Sequence, residues 1–180
     1  MFDTTIIIPQ HISRHAFCSV QFILYNSLIA FLLHYHVTGS ILFFLYFSTL
    51  LHWNCVRRMS IIKMVDIALA VSALSYVTFI DIYRFTPYYQ NVWYISTTSS
   101  IIMFVINETL FYYQVSKQLR NSCSDTKFHY FSLIYTLPNS NARELAYFRN
   151  VYTHMFFLHV LPPCVSAICA CRSIMIKLPQ

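Results

Sequence analysis

The sequence predicts an all-α membrane protein, a multi-pass bundle of about five transmembrane helices with one short interfacial or re-entrant segment. Three observations carry that expectation. Hydrophobic residues are 57% of the 180 and charged residues only 10%, where a soluble domain carries about 25% charged. Apolar runs of bilayer length recur along the chain, and short basic loops separate them. The net charge of +6 sits in those loops rather than in a stripe, a pattern that sets membrane orientation and does not predict a nucleic-acid partner. With one glycine, Gly39, the chain has no Gly-rich phosphate loop or dinucleotide fingerprint.

Residues 1–16 read as a cytosolic tail. Its short apolar run ends at Pro9, too soon for a cleaved signal peptide, so the first span is expected to act as its own signal anchor. That span is Phe17–Val37, about 31 Å long as a helix, which matches a bilayer core. Thr38, Gly39 and Ser40 read as a tight turn into a second span, Ile41–Val56, making a helical hairpin. A basic loop with Arg57, Arg58 and Lys63 leads to the third span, Met64–Tyr83, whose Ala68, Ser72 and Ser75 form a small-residue face suited to close packing. Asp81 lies three residues before Arg84 and reads as its local ion-pair partner.

After Pro87 comes the fourth span, Val92–Tyr113, with aromatic residues at both ends as in an interfacial belt. Residues 114–150 read as a cytosolic loop, polar from Gln114 to Lys127. Within it Phe128–Leu137 is apolar but about ten residues long, too short to cross. It is the expected interfacial or re-entrant segment. Asn141 and Glu144 have capping-box spacing for a helix that runs into the fifth span, Val151–Cys171, interrupted at Pro162 and Pro163. Residues 172–180 form the last tail.

In this topology Arg14, Arg57, Arg58, Lys63, Lys117, Arg120, Lys127, Arg143 and Arg149 lie on one side, and Arg84, Arg172 and Lys177 on the other. The positive-inside rule then makes the amino terminus cytosolic. The six cysteines have no paired CxxC spacing and read as small buried hydrophobes, with Cys169 and Cys171 as alternative acylation sites.

Ser48, His52, Asp66, Asn107, Glu108, His154 and His159 share the cytosolic third of this bundle. Ionisable groups in membrane segments cost a few kcal/mol each, and their default reading is functional. Imidazoles and carboxylates in one layer are what an open zinc site needs, about three protein ligands and a water whose pKa falls to about 7. His52, His154 and His159 are the candidate ligands. Ser48, Asp66 and Glu108 are the candidate catalytic groups, and Glu108 could instead complete the ligand set. The competing reading of the same residues is that each is hydrogen-bonded locally and only ties helices together.

The Ser48-x-x-x-His52 pair, an aspartate fourteen residues later at the opening of the next span, and two histidines in the last span resemble the superfamily of alkaline ceramidases and progestin and adiponectin receptors. That resemblance implies a helical membrane fold with zinc near the cytosolic side and, in several members, hydrolysis of lipid amides. It implies His52 and His159 as ligands, with Ser48 and Asp66 assisting. The family has seven spans and HxxxH in the last one. Here His154 and His159 are five apart, about 140° on an ideal helix. Pro162 and Pro163 remove the donors to the carbonyls of Leu158 and His159, and a local bulge there would turn both rings inward.

Three functions follow as expectations: a zinc-dependent hydrolase of a lipid amide or ester, a non-enzymatic organising protein that binds a membrane-protein partner, and a small proton-coupled carrier using Asp66 and Glu108. All three place the chain in a lipid bilayer.

Overall fold

The computed structural model describes residues 10–54, 56, 60–120, 148 and 150–177. Among them the regular structure is helical: α1 (Gln10–Ser13), α2 (Ala16–Leu32), α3 (His36–Asn54), α4 (Ile61–Phe79), a 3-10 turn (Asp81–Arg84) and α5 (Pro87–Arg120). The last helix is helical over 150–154, widens to a π-helix over Met155–Val160 and continues as α6, Leu161–Lys177. Among the described residues three helices are long and apolar enough to cross a membrane, His11–Leu32, Ile61–Arg84 and Asn150–Ile176. α3 begins at His36 and finishes with His52 and Asn54, and α5 carries the polar run 96–100, which lowers the hydropathy of both.

α2 packs against α3 and along both halves of the last helix; α3 packs against α4, and α5 against the last helix. The hairpin between α2 and α3 turns earlier than its Thr-Gly-Ser sequence predicts. The chain reverses at Leu33–Tyr35, with His34 at φ 61°, and Thr38, Gly39 and Ser40 are already inside α3. Gly39 serves contact rather than turning, because a Cβ there would lie 3.0 Å from the Phe31 ring of α2.

α4 starts where Ser60 caps it, the Ser60 hydroxyl accepting from the Lys63 amide at 3.1 Å. Its packed face also differs from the expected one. Ala68 and Ser72 are exposed, whereas Asp66, Ala73 and Val77 are buried. The rotation puts the carboxylate of Asp66 inward, where hydroxyls can satisfy it, at the cost of exposing two small residues. α5 is longer than expected, continuing through Gln114 to Arg120 where the polar composition predicts a loop. The expected interfacial segment at 128–137 and the Asn141–Glu144 cap lie outside the described residues.

Among the described residues apolar contacts form three clusters along the bundle. One surrounds Trp53 with Ile12, Ala16, Val20, Val56 and Val151, a middle one joins Ile23, Leu42, Leu45 and Ala73, and the third closes the far end around Trp93, Ile82 and Phe85. The first of these contains Trp53, whose indole meets His52, His154 and His159.

Candidate functional site

The start of α2, the end of α3, the start of α4 and the start of the last helix meet at one end of the bundle. On α3, Ser48 and Thr49 both donate to the same oxygen of Asp66 on α4, Ser48 Oγ at 2.9 Å and Thr49 Oγ1 at 2.5 Å from Oδ1. Ser48 Oγ also lies 3.0 Å from the Leu45 carbonyl. It has one proton, so it serves one acceptor at a time. Asp66 is 9% exposed, and these two hydroxyls replace the water that its carboxylate gives up.

One turn on, His52 is 7% exposed and its Nδ1 is buried with no hydrogen-bond partner. Trp53 follows it, 2% exposed, and its indole stands edge-on among three imidazoles. Ring centroids lie 5.5 Å away at His52, 5.0 Å at His154 and 5.9 Å at His159.

His154 and His159 face the same way although five residues separate them, with ring centroids 5.1 Å apart. The π-helix over Met155–Val160 accounts for this. In an α register the rings of Pro162 and Pro163 would strike the carbonyls of Leu158 and His159. The helix widens instead to five-residue hydrogen bonding, seen where the Leu161 amide reaches the Phe156 carbonyl, and residues five apart return to one face.

His159 is further held by α2. Ser19 Oγ lies 2.9 Å from His159 Nδ1 and 2.8 Å from the Ala16 carbonyl. With the hydroxyl proton given to Ala16, Nδ1–H of His159 is the donor to Ser19, and Nε2 keeps the lone pair. That arrangement is how an outer hydrogen bond orients a metal-binding imidazole. Asn107 of α5 joins the same end, its Nδ2 being 3.4 Å from both the carbonyl and the side-chain oxygen of Asn150. Glu108 follows on α5, and its side chain lies outside the described residues.

The donor types therefore fit zinc: neutral imidazoles, one with a buried unpartnered nitrogen and one oriented by a hydroxyl. The placement is not that of a closed centre. Among the described residues no three His, Cys, Asp or Glu side chains are placed to hold one ion, and the indole occupies the space between the rings.

Ser48, His52, Asp66, His154 and His159 were legible in the sequence as members of one layer. Thr49, Trp53 and Ser19 were not. Thr49 and Trp53 adjoin named residues, which is their only signal, and nothing in the spacing links Ser19 to His159. Comparison with protein-family models, with curated proteins and with solved structures found no match.

Proposed function

We propose that the chain is a zinc-dependent membrane hydrolase of lipid amides or esters, built from about five spans with its reactive layer on the cytosolic side. The observation that carries this reading is the gathering of α3, α4 and the last helix at one end of the bundle, where Ser48 of α3 bonds Asp66 of α4 and Trp53 of α3 meets His52 and the His154–His159 pair. His52 and His159, joined by His154, are the residues that would hold the ion. Zinc held there would supply a water acidified to about pKa 7 and polarise a carbonyl.

The chain's own groups do the rest. Ser48 and Thr49 hold Asp66 by Oδ1, which leaves Oδ2 to take a proton from the attacking water. A protonated carboxyl accepts more weakly, so Ser48 is then released to donate to the developing oxyanion. Closing three imidazoles on one point also requires the Trp53 indole to turn aside.

A second reading, an organising or partner-binding membrane protein, is favoured by Trp53 itself. A buried indole among three rings makes this layer a packing centre that joins α3 to the last helix. Elemental analysis of detergent-purified protein separates the two. The hydrolase reading expects about one zinc per chain, lost in His52→Ala and in His159→Ala while both variants stay membrane-inserted. Equal metal content in all three proteins would end it and leave the organising role.

A further inference from the structure

The hairpin at the opposite end of the bundle carries two histidines outside the layer described above. His34 and His36 flank Tyr35 where α2 passes into α3. Both are exposed, and their ring centroids lie 5.7 Å apart. α3 runs from His36 past His52, so about 24 Å of helix separates this pair from the layer.

The backbone beneath the pair is held from several sides. His34 takes a left-handed conformation, φ 61°, which histidine adopts more readily than most side chains. Its amide and that of Tyr35 close the end of α2 on the carbonyls of Phe31 and Ala30, at 3.1 and 2.8 Å. Between the two histidines the Tyr35 side chain is buried in the apolar cluster around Trp93. The Arg84 guanidinium lies 3.6 Å from the centre of the Tyr35 ring and donates to the carbonyls of His34 and Leu33 at 3.1 and 3.4 Å. A reversal fixed in this way presents two imidazoles side by side, with little left to order when a ligand arrives.

We propose that His34 and His36 form an open surface site for a divalent transition-metal ion, copper(II) above all. Two imidazoles bound to one ion through nitrogens at about 2.0 Å have ring centres about 4.5–6.5 Å apart, according to the angle at the metal. The observed separation lies within that interval, so chelation requires rotation of two exposed side chains and no movement of the backbone. Among the described residues no third His, Cys, Asp or Glu joins the pair, which leaves the other positions to water. Arg84 and the start of α3 bring positive charge to this end, so a hard cation held by charge alone would not stay. Nitrogen lone pairs bond copper(II) more strongly than the other divalent first-row ions, and that preference selects the metal.

The test is titration of the full chain in detergent with copper(II) chloride against a chromophoric chelator of known affinity. It is run on the unmodified chain and on His52→Ala, so that copper taken by the histidine layer is not counted as this site. His34→Asn keeps a residue that tolerates the left-handed conformation, and His36→Gln keeps the start of α3. In either background each is expected to weaken copper binding at least about tenfold, the low end of what even an outer-shell substitution costs at a metal site. Zinc chloride should bind the same pair more weakly. Should His34→Asn fail to fold, His36→Gln alone decides. No copper uptake by the unmodified chain would overturn the proposal, as would an affinity unchanged in every folded variant of the pair.

Discussion

Asp66 concentrates the physics of the histidine layer in one side chain. Two neighbouring hydroxyls converge on a single carboxylate oxygen, and the group would be insupportable at this depth without them. Ser48→Ala and Thr49→Ala are each expected to cost about 1–3 kcal/mol, read as a fall of several degrees in the unfolding midpoint. The double variant should cost more than the sum, because it leaves the buried carboxylate unsatisfied. Strict additivity would show that the two hydroxyls do not share the acceptor. Ser48 and Asp66 were readable from the sequence because a serine one turn from a histidine and an acid opening the next span both stand out in apolar runs. Ser19 was not, since its bond to His159 is made by helix packing across most of the chain, and packing leaves no trace in local spacing.

Among the elements, the last helix departs most usefully from regularity. The two prolines predict a disturbed register, and the structure resolves it as a π-helix that brings His154 and His159 together. Replacing both, Pro162→Ala with Pro163→Ala, removes the clash that excludes the α register. The helix is expected to tighten, carrying the two rings about 140° apart, so that far-UV circular dichroism stays helical while metal retention falls as it does in His159→Ala. Unchanged retention would mean that the π-helix is fixed by packing rather than by the prolines. The α2–α3 hairpin shows the opposite relation between sequence and element. Thr-Gly-Ser is a strong turn signal, yet the turn lies at His34 and Gly39 sits where α3 packs closely on Phe31. A glycine that permits close approach and one that permits a turn look alike in one sequence.

At the scale of the whole molecule, helical class and apolar runs were legible from composition, whereas the number of crossings depends on α3 and α5, whose polar residues blur the hydropathy. α3 lies between α2 and α4 and is 19 residues long, enough for about 28 Å. Its crossing is tested by thiol labelling with an impermeant reagent on a cysteine-free background. With α2, α3 and α4 all spanning, Arg14→Cys and Tyr83→Cys react from opposite sides of the membrane, Arg14→Cys from the cytosol. Reaction of both from one side would mean that α3 does not cross.

α4, which carries Asp66, leans on α3 and scarcely meets α5 among the described elements. In the proposed bilayer a seam of that kind would face hydrocarbon rather than solvent. A molecule already dissolved in the bilayer would approach Asp66 sideways, without first leaving its own phase. Encounter would then be governed by surface density, the number of such molecules per unit area of leaflet. Adding inert lipid or detergent at constant total concentration would slow the reaction by dilution in two dimensions.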